Sequence, residues 1–185
     1  MVGDRSKILQ LSQRLPRKLG QSGRHWACEL LGVAVTQVED FAAYEFAERF
    51  KLEVYRLIKE SRGASTNQGY REQLEDAASG IEGAMSEGFG RRRPKEFALY
   101  LRYSLGSLNE SRTRLRDGIH RGYFPEAACE QAFVWAERCK QATTELWRSQ
   151  ERKAAEEERA KSKKAKPKTV ESRTEQKRPE ARGKD

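Results

Sequence analysis

The sequence predicts an all-α fold, arranged as an antiparallel up-down-up-down four-helix bundle. Apolar residues recur at spacings of three and four along four long segments, the pattern of helices that bury one face. Short stretches rich in glycine, proline and polar residues separate these segments. Helices joined by short loops lie side by side and point in opposite directions. We expect the bundle in residues 41–150, between a poorly ordered N-terminal extension, residues 1–40, and a helical extension with a disordered charged tail, residues 151–185.

The first two helices are predicted on either side of a polar loop. Helix 1 is expected to begin at Asp40, a good N-cap residue, and to run to about Arg62. Its core stripe consists of Phe46, Phe50, Val54, Leu57 and Ile58. Residues 63–69 are predicted to form the loop, because glycine and small polar residues dominate them. Helix 2 then covers about Tyr70 to Phe89, and small residues on its inward face allow a neighbouring helix to approach closely.

The turn between the second and third helices lies within residues 85–97. Gly88 and Gly90 are expected to end helix 2, because glycine tolerates the left-handed conformation that closes a helix. Pro94 suits the first turn of helix 3, which is predicted to run to about His120. This turn should therefore stand at one end of the bundle.

Both ends of the chain differ in composition from the bundle. Helix 4 is predicted to begin at Pro125, and from Glu151 its apolar periodicity stops, so a solvated helix is expected to about Lys166. Later residues lack the hydrophobic content that offsets chain entropy, and we expect them to be disordered. Residues 26–35 are apolar, which fits a docking segment, an extra helix or residues upstream of the true start of translation.

The net charge of +9 lies mostly outside the predicted bundle. Residues 151–185 hold 13 Lys/Arg and 8 Asp/Glu, and residues 1–40 hold 6 and 4. Residues 41–150 keep 18 and 16, a net of +2, so a binding surface for acidic partners on the bundle must be a local patch. The sequence contains no apolar run long enough to cross a membrane and no signal-peptide core, so we expect a cytoplasmic protein without membrane contact.

One local patch is predicted at the turn between helices 2 and 3. It consists of Arg91, Arg92, Arg93 and Lys95, and guanidinium groups match the geometry of phosphate oxygens. Arg102 extends this basic cluster along helix 3, and Lys163 and Lys164 form a second cluster beyond helix 4. The alternative is a solvated corner that caps helix 2, together with a tail that only improves solubility. Phosphate binding through these residues is our hypothesis.

Several short stretches resemble a known family: residues 54–57, residues 73–78, residues 86–91 (Ser-Glu-Gly-Phe-Gly-Arg) with 96–97, residues 105–110 (Leu-Gly-Ser-Leu-Asn-Glu) and residues 122–123. The chain is similar over about residues 44–148 to the bacterial four-helix-bundle proteins also called 23S rRNA intervening-sequence proteins. The accessory variability determinant of diversity-generating retroelements is a relative with the same fold. The motif residues carried over are Glu87, Gly88, Gly90, Gly106, Ser107 and Glu110. The chain departs from the family pattern at Gly83 and Ala84, where a Ser-Asn pair usually stands.

The resemblance implies a homo-oligomer, commonly a pentameric barrel, with a role in nucleic-acid binding. We therefore expect a non-enzymatic module that binds structured RNA or DNA through the basic corner and tail. The alternative is an adaptor or accessory subunit, for example of a reverse transcriptase in a diversity-generating retroelement. A reverse-transcriptase gene nearby would favour that alternative.

Catalysis has little support in the sequence. Glu87 and Glu110 form the only candidate pair of carboxylates, and structural anchoring explains them better than acid–base work. No metal site and no cofactor are predicted, since neither histidine has helical metal-ligand spacing and the glycines do not follow a strand. Cys129 and Cys139 are expected to be small buried apolar residues.

Overall fold

The computed structural model describes residues 37–165, and this part of the chain is helical almost throughout. It contains a 3₁₀ turn, Val38–Asp40, and the helices α1 Ala42–Glu60, α2 Arg62–Thr66, α3 Gln68–Gly90, α4 Pro94–His120 and α5 Glu126–Ala165. No strand occurs among residues 37–165, so the predicted all-α class is confirmed. Within the same range, no helix is both long and apolar enough to cross a membrane. The expectations for residues 1–36 and 166–185 lie outside the described part of the chain.

The start of α1 is set by an aromatic anchor, and the prediction of Asp40 as its N-cap is wrong. Asp40 lies in the 3₁₀ turn, where its Oδ2 accepts a hydrogen bond of 3.2 Å from the Gln37 backbone N–H. The N-cap position belongs to Phe41, whose buried ring meets the rings of Phe89 and Phe97 at centroid distances of 5.8 Å. Burial of this ring therefore fixes where α1 begins, without a side-chain cap.

The loop predicted at residues 63–69 is instead mostly helical. Ser61 Oγ accepts a hydrogen bond of 3.1 Å from the Ala64 N–H and caps α2, and Ala64 is fully buried. Asn67 Oδ1 accepts one of 3.1 Å from the Tyr70 N–H, so α3 begins at Gln68. Five residues are too few to show an apolar period. The only local sequence features that mark the starts of α2 and α3 are the capping side chains of Ser61 and Asn67.

The long helices pack through contacts that pair the start of one helix with the end of another. α1 packs on α3 and α5, and α4 also packs on α3 and α5. Early in α3, Tyr70 Oη donates a hydrogen bond of 2.8 Å to the carbonyl of Arg114, late in α4. Late in α3, Gly88 is so close to α4 that an added β-carbon would lie 2.5 Å from Cβ of Tyr100.

The core between these helices combines large side chains with small ones. Its largest fully buried members include Phe50, Leu74, Ile81, Met85, Leu101, Leu108 and Leu115. α5 contributes small residues, among them Cys129 and Cys139, and both thiols are buried as predicted. Burial raises the pKa of the Cys139 thiol to about 12, so it remains a neutral thiol at physiological pH.

One largely buried ion pair connects α1 to α3. Lys51 Nζ donates a hydrogen bond to Glu82 Oε2, and the two side chains keep 20% and 11% exposure. Burial alone would lower the pKa of Lys51, but the hydrogen bond and charge of Glu82 outweigh burial, so this pKa is raised. Glu82 Oε1 is buried and has no hydrogen-bond partner within the described residues. The charge of Glu82 therefore depends on Lys51 for compensation.

The turn between α4 and α5 closes on a left-handed glycine. Gly122 has a φ of 72°, and its N–H donates to the Ile119 carbonyl at 2.9 Å. The N–H of Tyr123 donates to the Gly118 carbonyl at 2.8 Å, which completes a Schellman motif. Gly122 thereby ends α4 and begins the turn that leads to α5.

Gly118 lies where the start of α3 packs closely against the end of α4. A β-carbon on Gly118 would lie 2.1 Å from Oη of Tyr70 and 2.6 Å from Cε2 of Phe124. Both rings are buried. Any side chain at position 118 would therefore displace one of them.

Candidate nucleic-acid interface

The corner between α3 and α4 is a three-residue link made of arginines. α3 ends at Gly90, Arg91 follows in helical conformation, and Pro94 begins α4 as predicted. Arg92 carries the left-handed conformation, with a φ of 55°. The expectation that Gly88 or Gly90 would supply it is wrong: Gly88 instead lets Tyr100 approach, and Gly90 faces open space.

Arg91 is held against the two helices by a cluster with Glu87 and Tyr100. Tyr100 Oη donates a hydrogen bond of 2.6 Å to Glu87 Oε1, and Arg91 Nη2 donates to the same oxygen at 2.7 Å. Arg91 Nη2 also lies 3.0 Å from Tyr100 Oη. The Tyr100 hydroxyl and then the Arg91 guanidinium lower the pKa of Glu87. The ionised Glu87 thus connects the end of α3 both to Arg91 and to Tyr100 of α4.

Two of the other corner cations also have carboxylate neighbours. Arg93 Nη1 lies 3.3 Å from Glu96 Oε1, and Lys95 Nζ lies 3.0 Å from Glu158 Oε1. Both cationic side chains are largely exposed, at 77% and 81%. Exposed pairs of this kind contribute little and can exchange their carboxylate for a phosphate. Arg92 is exposed and pairs with no carboxylate among residues 37–165.

The extension of α5 lies at the same end of the molecule as the corner. The ion pair of Lys95 with Glu158 joins the first turn of α4 to α5, although the two residues are 63 positions apart. Lys163 and Lys164 follow five and six residues later in the same helix, about 8–9 Å further along its axis. The two predicted basic clusters therefore lie toward the same end of the molecule.

The remaining predicted residues lie along α4. Arg102 is exposed and stands seven positions after Lys95, so both project from the same side of the helix. Ser107 packs beside Gly80 of α3, where an added β-carbon would lie 3.2 Å from its Oγ. A β-carbon added to Gly106 would meet nothing within 4 Å among residues 37–165. Glu110 forms an ion pair of 3.0 Å with Arg114, one turn later in α4.

The two motif carboxylates do not form a joint site. Glu87 binds Arg91 and Tyr100, whereas Glu110 binds Arg114. Among residues 37–165, no group of three or more His, Cys, Asp or Glu side chains is arranged to hold a metal ion. Sequence reasoning missed Tyr100, because its part in the corner depends on the register between α3 and α4. The arrangement positions cationic side chains at one end of the molecule.

Comparison with protein families gives one match, to the 23S rRNA-intervening sequence protein, over residues 39–145. The chain belongs to this family. The matched range includes the α3–α4 corner and the Gly106–Glu110 region of α4, and it ends before Lys163 and Lys164. The family resemblance inferred from the sequence is therefore confirmed. Comparison with curated proteins and with solved structures found no match.

Proposed function

We propose that this member of the 23S rRNA-intervening sequence protein family acts in the cytoplasm as a non-enzymatic module that binds structured RNA or DNA. The observation that carries this proposal is the contact of Lys95 with Glu158. It brings the α5 extension, with Lys163 and Lys164, to the end of the molecule that holds the arginine corner. Two cationic segments far apart in the sequence thereby form one surface for a polyanion.

The corner residues divide into a positioning group and a contact group. Arg91 is tied to Glu87 and Tyr100, so its main role is to hold the α3–α4 turn in shape. Arg92 and Arg93 are exposed and reach phosphates without breaking a buried interaction. Each phosphate neutralised by such a side chain releases condensed counterions, which makes the affinity depend on salt.

The proposal predicts that Arg92→Gln/Arg93→Gln weakens binding of the full-length chain to a labelled RNA hairpin roughly tenfold near physiological salt. The slope of log K against log salt should fall by about 2, because two phosphate contacts are removed. Lys163→Gln/Lys164→Gln should also weaken binding and lower the salt slope. Fluorescence anisotropy across a salt series, on a blunt RNA hairpin and a DNA duplex, measures both quantities.

A matched control removes two cations from the other end of the molecule. Lys59 and Arg62 are exposed and lie near the contact of Ser61 Oγ with the Tyr123 carbonyl, at the end opposite the corner. Lys59→Gln/Arg62→Gln should leave affinity and salt slope nearly unchanged. Equal losses from the control and from the corner variant would contradict a localised interface. No salt-dependent binding by the wild type would contradict the function itself.

We also propose that the four long helices form an antiparallel up-down-up-down bundle and that copies of the chain assemble into a homo-oligomer, a pentamer by family resemblance. The pairing of helix starts with helix ends supports the bundle. On α1, Leu52 is 56% exposed and Tyr55 is 38% exposed, which supports an apolar contact between copies.

Leu52→Glu is expected to lower the molar mass of the assembly in light scattering, because it places a charge in that contact. Val134→Glu is the matched control, since Val134 on α5 is 45% exposed and lies outside the α1 face. A wild-type protein with the mass of a single chain would contradict the assembly. If the chain binds no nucleic acid, the exposed apolar face of Leu52 and Tyr55 on α1 favours the alternative function, that of an adaptor, for example of a reverse transcriptase.

A further inference from the structure

An exposed aromatic side chain lies on α4 beside the basic corner. Tyr103 is 55% exposed, and Leu99, one helical turn earlier, is 42% exposed. Residues four positions apart lie on the same face of a helix, so the two side chains form one small exposed apolar patch. Neither residue is explained by the contacts that hold α3 and α4 together.

The ring of Tyr103 is supported on one side and open on another. Tyr100 meets it edge-on, with ring centroids 5.6 Å apart and planes at 88°. Tyr100 is itself held by Glu87 and Arg91, so this support is fixed. Gly106, one turn after Tyr103 on the same face, has no heavy atom within 4 Å of where a β-carbon would lie. A flat group can therefore lie beside Tyr103 without meeting a side chain at position 106.

Small residues of α3 lie level with this part of α4. Gly80 lies opposite Ser107 and Gly88 lies opposite Tyr100, so Gly83 and Ala84 lie between these two contacts. Gly83 is exposed, and an added β-carbon there would meet nothing within 4 Å among residues 37–165. Position 83 therefore contributes no side chain that could cover the Tyr103 ring.

Charge around Tyr103 favours an anionic partner. The nearby carboxylates each have a cationic partner: Glu87 with Arg91, Glu96 with Arg93, Glu110 with Arg114 and Glu158 with Lys95. Arg92 and Arg102 are exposed and have no carboxylate partner among the described residues. Arg102 and Tyr103 lie in the same turn of α4, so a cation without a carboxylate partner among residues 37–165 is available near the exposed ring. An aromatic ring interleaved with arginines is the pattern of surfaces that bind unpaired nucleotides.

We infer that Tyr103 is a stacking platform for an unpaired base, and that the nucleic acid bound at the corner contains a single-stranded segment. The backbone of that segment follows α4 between Arg92 and Arg102, and one base stacks on the Tyr103 ring. A fully paired helix cannot use this platform, because its bases already stack on each other. The inference rests on the proposed function and names the class of nucleic acid that it concerns.

The test compares the full-length wild type with Tyr103→Ala and Tyr103→Phe. The probes are a labelled twelve-nucleotide adenosine RNA, an abasic RNA of the same length and a blunt RNA duplex without a loop. Tyr103→Ala should weaken binding of the adenosine RNA on the order of tenfold and leave the abasic RNA and the duplex unchanged. Tyr103→Phe keeps the ring and should bind like the wild type. The fluorescence of a 2-aminopurine in the adenosine RNA should be quenched on binding to the wild type or to Tyr103→Phe, and not on binding to Tyr103→Ala.

Other outcomes separate this inference from the proposed function. If the wild type binds the duplex with salt dependence but Tyr103→Ala changes binding of no probe, the function stands and the platform is overturned. An equal loss on adenosine and abasic RNA, or an equal loss from Tyr103→Phe, also overturns the platform. A lower molar mass of Tyr103→Ala in light scattering would show that this face contacts another copy of the chain, again against the inference. If the wild type binds none of the probes, both proposals fail.

Discussion

Gly118→Ala is expected to lower the free energy of unfolding by about 3 kcal/mol, the upper part of the usual range for overpacking a core. The new β-carbon would lie 2.1 Å from Oη of Tyr70 and 2.6 Å from Cε2 of Phe124. Tyr70 cannot withdraw freely, because its hydroxyl donates to the Arg114 carbonyl and its ring packs edge-on against Tyr123. Urea unfolding followed by circular dichroism measures the loss.

Gly83→Ala provides the matched control within α3. An added β-carbon at position 83 meets nothing within 4 Å. Alanine has the higher helix propensity, so this variant should gain about 0.5–1 kcal/mol. If the two variants unfold at the same urea concentration, the close approach at Gly118 does not limit stability.

Lys51→Met is expected to cost about 3 kcal/mol at neutral pH, because it leaves the Glu82 carboxylate largely buried without its cation. Methionine keeps most of the side-chain volume, which separates loss of charge from loss of packing. The double variant Lys51→Met/Glu82→Leu should recover most of the loss, since neither charge remains to be desolvated. A double variant as unstable as the single one would show that packing, and not the uncompensated charge, caused the effect.

The same pair makes a prediction about pH. The folded-state pKa of Lys51 is raised, so its stabilising contribution is fully present below the unfolded-state value of about 10.4. The contribution is lost as pH rises through the folded-state pKa. The stability difference between wild type and Lys51→Met should therefore be constant near neutral pH and shrink once the pH exceeds the unfolded-state pKa of lysine. A difference that grows in that alkaline range would contradict the raised pKa of Lys51.

Sequence reasoning located the helices best where local signals were strong. α4 begins at Pro94 and ends at His120, as predicted, and proline at the first turn is a local feature that the sequence shows directly. α2 was missed because five residues are too few to show an apolar period. Asp40 was a reasonable cap by residue type, but burial of Phe41 decided where α1 starts.

Only part of the candidate site could be predicted from the sequence. The basic corner is contiguous in sequence, so its residues could be named without a structure. The cluster of Glu87, Arg91 and Tyr100 and the contact of Lys95 with Glu158 depend on register between helices, which the sequence does not encode locally. Tyr103 was likewise missed, because only packing shows which aromatic side chains of a helix remain exposed.

The left-handed backbone of Arg92 has a consequence for how this position varies. An ordinary L-residue loses roughly 1–2 kcal/mol in that conformation, whereas glycine does not and asparagine tolerates it better. The fold alone would therefore favour glycine or asparagine at position 92, whereas the proposed phosphate contact would favour arginine. Under that proposal, position 92 should drift toward the residues that relax the turn in homologues that do not bind nucleic acid, and its arginine should persist where binding is under selection.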